Sequence, residues 1–430
     1  MAKSTRDQQP QPGWGSPVRP FKQTDTIIIK VKTGPAGGVM RGLRAATPPV
    51  LDQLRSNARI VSATPVFDAP PAGRLVRGLR ALGMATRGRD APGHRSEGLM
   101  AVKVDKGTNA RQLARDLNRN HAEIDYAYTP AARYCLARPK DPLATPPWGH
   151  LAIRLDQARA RAGFTDAKKV VVAVIDSGID RGHPALKHAI KDYKNFIGKA
   201  EGMADYIGHG THVAGIIAAR LAGSQQLGGV CAAQVLALKA IPKDDEDWDA
   251  QAYYRALGYV IGRAQVLNLS IGSVEEDQGE QDIIADIIDA GIVVVAASGN
   301  EFEEGNPIEY PAAVKGVCAV AATDQKGRWA EFSNTGKHVA IAAPGVDILS
   351  TTPRAKCAMG KSRYDSWPGT SMATPFVSAA AALVLTKHPG WTPAKVIAHL
   401  KKKAAKLPWQ RRRPNVKVGW GLLDINAALK

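Results

Sequence analysis

Five short apolar runs constrain this chain more than any other feature. Val170 to Ile175 consists of branched and small apolar residues and stops abruptly on Asp176. Gln234–Lys239, Gln265–Ser270, Ile292–Ala297 and Val317–Ala321 are runs of similar length and composition. A run without polar alternation belongs to a strand covered on both faces, and these are far too short to span a bilayer. Segments of helical length separate them. That alternation predicts an α/β fold: a doubly wound, mainly parallel sheet with helices on both faces. Ligands of such sheets collect outside the carboxyl ends of the strands, so chemistry is expected in the residues that follow each run.

Three segments stand out. Asp176-Ser177-Gly178 closes the first run with a carboxylate. Gly208-His209-Gly210-Thr211-His212-Val213-Ala214-Gly215 opens a helix of small residues. Gly369-Thr370-Ser371-Met372-Ala373-Thr374-Pro375 leads into the apolar run Phe376–Leu385, which puts the Ser371 hydroxyl in the first turn of a buried helix. Free N–H groups and the positive end of the helix dipole collect there, and both suit developing negative charge. Taken singly, Asp176 and Ser371 are ordinary helix caps. The two histidines three apart are also open to a metal reading, although no Glu lies between them and no Cys is near. Each segment alone is weak evidence, but one chain carries an acid, an imidazole and a hydroxyl in such settings.

With their spacers, these segments resemble the subtilisin-like serine proteases, the subtilases, from about Trp148 to Leu429. The chain order Asp176, His209, Ser371 is that of subtilisin, and Val418-Gly419-Trp420-Gly421-Leu422-Leu423-Asp424 matches the family's closing segment. The resemblance implies a serine endopeptidase acting on proteins or peptides. In it Ser371 is the nucleophile, His209 the base, Asp176 its orienting acid and Asn300 an oxyanion donor. Ser270, Ile271 and Gly272 form the substrate-binding strand, with Ala297, Ser298 and Gly299 beside it. Ser177 and Ser270 either bond the Asp176 carboxylate, as in the family, or serve plain turn chemistry. Laid on the family pattern, Glu309 falls at the floor of the primary pocket and Glu301 at its rim. Asp244, Asp245, Glu246, Asp247 and Asp249 border the upstream subsites. This arrangement implies a preference for Lys or Arg at the residue whose carbonyl is attacked. The family's strong calcium site looks dismantled, because Ala185 follows His183-Pro184 and Ala222–Gln226 lacks Asn ligands. No metal or other cofactor is expected.

Length and charge bound the remainder. At 430 residues there is room for two or three domains. The formal charge of +19 is uneven: residues 1–140 hold 24 Lys/Arg against 10 Asp/Glu, whereas residues 244–309 hold 16 acids against Arg255 and Arg263. Residues 1–23 read as a disordered polar arm. Residues 24–132 read as strand (Thr26–Lys32), helix (Pro49–Ser56), strand (Arg59–Val66), basic loop, strand (Leu99–Val104), helix (Asn109–Asn118) and strand (Glu123–Tyr128), the ferredoxin-like α+β plan. By order and position this unit resembles a subtilase propeptide, which makes the chain's own N-terminal domain an intramolecular inhibitor. Residues 133–147 read as a linker with a processing site, the preferred bond being Lys140-Asp141, and residues 148–430 as the protease domain.

Cys135, Cys231, Cys318 and Cys357 are scattered without disulfide or metal spacing. The first 22 residues lack an apolar signal core and no stretch spans a membrane, so a cytoplasmic chain with no membrane partner is expected. Lys401-Lys402-Lys403 and Arg411-Arg412-Arg413 read as solvated faces. Two alternatives remain open. One is a dedicated peptide-processing or transpeptidating subtilase. The other is a regulatory protease fused to a basic nucleic-acid or acidic-partner binding module, for which no nucleic-acid motif speaks.

Overall fold

The computed structural model describes residues 26–31, 60–66, 95, 99–105, 108–121, 124–130, 134–135, 148–198, 202, 204–220, 228–243, 249–355, 357–360 and 363–430. The expected arm, the helix over Pro49–Ser56, most of the basic loop, the Lys140-Asp141 bond, the Ala222–Gln226 loop and the acids Asp244 to Asp247 lie outside the described residues.

The N-terminal unit is a four-stranded antiparallel sheet with one described helix. Its strands are β1 (Thr26–Val31), β2 (Ile60–Pro65), β3 (Leu99–Val104) and β4 (Ile124–Tyr128), in the order β2-β3-β1-β4, and α1 spans Ala110–Asn120. Asn109 starts α1 by accepting from Gln112 N at 3.0 Å. The alternation along β1 and β3 decides what each face meets. Ile27, Ile29, Met100 and Val102 pack with Leu113 and Leu117 of α1, whereas Ile28, Leu99 and Ala101 join the core of the following unit. The sheet is thus apolar on both faces, because one covers its own helix and the other covers the rest of the chain.

The second unit opens with β5 (Tyr134–Cys135), α2 (Trp148–Ala152) and α3 (Leu155–Arg159). It continues through β6 (Val171–Asp176), β7 (Ile190–Asn195), α4 (His209–Ala218), β8 (Gln234–Lys239), α5 (Ala250–Tyr259), β9 (Val266–Leu269), β10 (Ile271–Gly272), α6 (Gln278–Asp289), β11 (Val293–Ala297), β12 (Cys318–Thr323) and β13 (Val339–Pro344). It ends with β14 (Ile348–Thr351), β15 (Tyr364–Trp367), α7 (Thr370–Lys387), α8 (Pro393–Lys403) and α9 (Ile425–Ala428). Seven strands form a parallel sheet in the order β13-β12-β11-β9-β6-β8-β7. From β6 the chain first builds outward to β7 and β8, then returns to add β9 on the other side. The crevice of this α/β sheet therefore opens between the carboxyl ends of β6 and β9. No described helix is long and apolar enough to cross a membrane.

The two units meet over the start of α6. Asp277 caps that helix by accepting from Glu280 N at 2.8 Å, and the same Oδ1 accepts from the Tyr128 hydroxyl at 2.6 Å. Tyr128 in turn accepts from Gly279 N at 3.1 Å, and Tyr254 donates to the other Asp277 oxygen. Around this buried knot, Lys30 pairs with Asp282 at 2.6 Å, Tyr126 donates to Asp282 at 2.9 Å, and Arg95 pairs with Asp289 at 3.0 Å. Burial and the neighbouring Asp277 push the phenols of Tyr128 and Tyr254 well above their usual range, so both remain donors.

Candidate active site

Asp176 is the last residue of β6, buried to 1% exposure at the crevice. Its Oδ1 accepts from Ser177 N at 2.7 Å, from the Ser177 hydroxyl at 3.1 Å and from His209 Nδ1 at 2.8 Å; Oδ2 lies 3.0 Å from the same ring nitrogen. His209 is the first residue of α4. The glycine after it explains how a helix can start so close to a strand end. A Cβ on Gly210 would press into the Gly178 carbonyl oxygen and stand 3.0 Å from Asp176 Cβ. With Nδ1–H donated to Asp176, His209 Nε2 is the basic nitrogen; it is buried and has no hydrogen-bond partner.

Ser371 stands in the first turn of α7, a helix buried from Thr370 to Leu385. Its hydroxyl donates to the Ser270 carbonyl at 2.7 Å, and the Ser270 hydroxyl donates back to the Ser371 carbonyl at 2.9 Å. Pro375 explains the second bond. A helical carbonyl accepts from the residue four positions on, and Pro375 has no N–H to offer Ser371. Ser270 fills that vacancy and is itself held, since Asn268 Nδ2 donates to its hydroxyl at 3.0 Å and Ser378 donates to Asn268 Oδ1 at 2.8 Å. Of the two readings for Ser177 and Ser270, Ser177 contacts the Asp176 carboxylate directly, while Ser270 engages the Ser371 backbone.

Asn300 follows β11 through Ala297, Ser298 and Gly299, all buried. Its Oδ1 accepts from Thr370 N at 2.9 Å and from the Thr370 hydroxyl at 3.0 Å, which orients the amide with its NH₂ on the opposite side. Gly299 has φ 106°, and a Cβ there would meet Glu309 Cγ at 2.5 Å and the Asn334 amide. Glu309 is therefore packed against the backbone of the Asn300 loop, fully buried. Glu301 turns inward. Its Oε2 accepts from Asn300 N at 2.6 Å and from Asn334 Nδ2 at 3.3 Å, while Asn334 Oδ1 accepts from Glu301 N at 2.7 Å. Asp249, the one described member of the acidic loop, caps α5 by accepting from Gln251 N at 2.9 Å.

Ile271 and Gly272, as β10, pair antiparallel with Cys135 and Tyr134 of β5. The segment just after the N-terminal unit thus lies along the strand expected to bind substrate. The two histidines do not converge. His212 donates from Nε2 to the Asp365 carbonyl at 3.2 Å and stacks on Trp367 at 4.4 Å between ring centroids, where burial lowers its pKa to about 3. Among the described residues no group of three His, Cys, Asp or Glu could hold a metal ion. The Ala185 methyl offers no oxygen, and its carbonyl already accepts from Arg220 N at 2.8 Å, so this position does not fit the family's calcium site.

Asp205 is the buried carboxylate beside the site that motif reasoning missed. It is buried, with Oδ1 accepting from the Ser177 hydroxyl and Gly208 N, each at 2.8 Å. Oδ2 accepts from Thr211 N at 2.9 Å and the Thr211 hydroxyl at 2.6 Å. Desolvation pushes its carboxyl upward against these donors, and Asp176 adds like-charge repulsion. Its place four residues before His209 was the available signal.

Residues 167–421 match the model of the subtilase family. Over 272 residues the chain is 35% identical to subtilisin of Bacillus pumilus, covering 62% of this chain and 92% of that protein. It is 37% identical over 248 residues to a thermostable alkaline protease of Halalkalibacterium halodurans, covering 58% and 65%. It is 35% identical over 225 residues to the major intracellular serine protease of Bacillus subtilis, covering 50% and 68%.

Proposed function

Because the chain belongs to the subtilase family of serine endopeptidases, we propose that Ser371, His209 and Asp176 act as one catalytic group on peptide bonds. The observation that carries this reading is the His209 ring, bound through Nδ1 to both Asp176 oxygens with Nε2 left bare. Ser371 turns its hydroxyl from the Ser270 carbonyl to His209 Nε2 and attacks the substrate carbonyl as that proton leaves. His209 then returns the proton to the departing amine, and Asp176 stays ionised to stabilise the imidazolium. Asn300 Nδ2 and the Ser371 N–H donate to the oxyanion, where fixed donors cost no reorganisation. The reaction draws on these side chains and asks for no cofactor. Ser371→Ala tests the assignment: peptide hydrolysis and labelling by a fluorophosphonate should vanish while the thermal midpoint stays within a few degrees. Residual hydrolysis within about tenfold of the parent excludes it.

The same reading gives the site an acidic primary pocket that takes a cationic side chain. Glu309, buried against Gly299, supplies its acid; Glu301 serves the Asn300 loop and drops out of that role. Matched peptides with Arg, Lys, Phe, Leu or Glu before the scissile bond decide the point. Cleavage of Phe or Leu in preference to Arg rejects it, as does a Glu309→Gly variant with unchanged Arg preference.

Residues 24–132 act as an intramolecular inhibitor in this scheme, making the full chain a zymogen. Two observations support that: β5 is added to the substrate-binding strand, and His209 and Ser371 are both fully buried.

A further inference from the structure

The end of α8 and the chain behind it carry a cationic surface that the hydrolytic chemistry does not use. Residues 401–417 contain Lys401, Lys402, Lys403, Lys406, Arg411, Arg412, Arg413 and Lys417, with no Asp or Glu. The first three end a helix, where cations complement the dipole, but that accounts for none of the others. Among the described residues none of the eight is ion-paired.

The segment is held firmly by neutral contacts. Ala405 N donates to the Leu422 carbonyl at 2.7 Å and Leu422 N returns the bond at 2.9 Å. The buried Gln410 donates to the Gly419 carbonyl at 3.0 Å, and Arg413 donates to the Ala404 carbonyl at 3.0 Å. Trp409 is 38% exposed, yet its Nε1–H is fixed to the Gly327 carbonyl at 2.8 Å. Lys326 and Arg328 flank that glycine. The nearby acid, Asp324, is already paired with Arg328 at 2.6 Å. An indole is therefore pinned at the surface beside the exposed Lys406, Arg411 and Arg412.

We propose that this face binds single-stranded nucleic acid. Phosphates pair with Lys402, Lys406, Arg411 and Arg412, and a base stacks on Trp409. A row of unpaired cations on a fixed scaffold suits a polymer of regularly spaced anions, which releases its counterions on binding. Guanidinium groups can hold phosphate through two hydrogen bonds. A pinned indole offers a platform to an unstacked base, whose face a duplex hides. An anionic bilayer fits less well, because the indole N–H that would face the headgroups is already committed to Gly327.

The test uses the full-length Ser371→Ala protein and a fluorescein-labelled oligothymidylate, titrated by anisotropy at several salt concentrations. Affinity should fall linearly on a log–log salt plot. The Arg411→Glu/Arg412→Glu double substitution should weaken binding at least tenfold and flatten the slope by about 1.4, since two phosphates then go without a cation. Trp409→Ala should weaken single-strand binding roughly fivefold to 100-fold and leave duplex binding unchanged. The milder Lys402→Gln/Lys406→Gln pair gives an independent loss should the Arg variant fail to fold. The same substitutions in the Ser371 protein should leave short-peptide hydrolysis intact. Parental affinity in both charge variants overturns the proposal and assigns binding elsewhere, such as the basic N-terminal 140 residues. Arg-dependent binding to phosphatidylserine vesicles or polyglutamate without oligonucleotide binding overturns it as well.

Discussion

The Ser177 hydroxyl lies 2.8 Å from Asp205 Oδ1, close enough to give that buried carboxylate its single proton. Asp176, 3.1 Å away on the other side, competes for the same proton, while Gly210 N donates to the Ser177 oxygen at 3.1 Å. Asp205 also gathers Gly208 N, Thr211 N and the Thr211 hydroxyl. It thereby ties the first turn of α4, and with it the His209 ring, to the end of β6. Asp205→Asn puts an amide N–H where an acceptor is needed and should lower kcat roughly tenfold to 100-fold, with KM within a factor of about three. Ser177→Ala added to that variant should cost little more. Unchanged kcat, measured on a chromogenic peptide, removes Asp205 from the machinery.

Asn300 Oδ1 accepts from Thr370 twice, through N–H and hydroxyl together, and this fixes the amide. Asn300→Ala should reduce kcat by about 10²–10³, the cost that loss of this donor carries in subtilisin itself. Thr370→Val keeps the N–H bond and loses the hydroxyl, so a smaller drop is expected. Equal kcat for Asn300→Ala and its parent dismisses the oxyanion role.

Tyr128 reaches from the N-terminal unit into the start of α6 and is both donor to Asp277 and acceptor from Gly279 N. Tyr128→Phe keeps the ring but leaves a buried carboxylate short of a donor, a loss of about 1.5–3 kcal/mol. If the unit inhibits, full-length Tyr128→Phe protein should gain fluorophosphonate reactivity at least tenfold faster. Identical labelling time courses count against inhibition through this contact.

His212 bears on acid stability. Its folded-state pKa, about 3, lies below the unfolded value of roughly 6.5, so between these limits the unfolded chain binds a proton that the folded one refuses. Stability from this group is complete above about pH 6.5 and is lost as pH falls toward 3. His212→Asn, in the Ser371→Ala background to prevent autolysis, should shrink the loss between pH 7 and pH 5 by about 2 kcal/mol. Denaturant midpoints at the two pH values measure it; an unchanged difference refutes the assignment.

Much of the sheet was legible because its central strands are buried on both faces and so lack polar alternation. Edge strand β7 was not: Ile190-Lys191-Asp192-Tyr193-Lys194-Asn195 is partly exposed along its length and reads as loop. Strand β13 was also missed, its Ala-rich Val339–Pro344 offering less branching than its neighbours. At the site, the residues with small-residue motifs around them were visible, because Gly210 is demanded by the close approach of the Gly178 carbonyl and Gly299 by its positive φ and the side chains packed on it. Asp205 and Asn334 were not, since a buried amide or carboxylate that acts by hydrogen bonding needs no signature beside it. Glu301 shows the limit of placement by alignment: its position at the loop was readable, but the direction of its side chain depended on Asn334, 33 residues away.

Pro375 has a mechanical consequence. Since Pro375 offers no N–H and the Ser371 carbonyl is bound by Ser270, the Ser371 backbone is coupled sideways to the residue before β10, the strand that pairs with β5. If a peptide takes the place of β5 along Ile271–Gly272 in the proposed mechanism, a displacement of that strand reaches Ser371 through the two reciprocal bonds of Ser270. On that reading, substrate docking and nucleophile alignment share a single hinge.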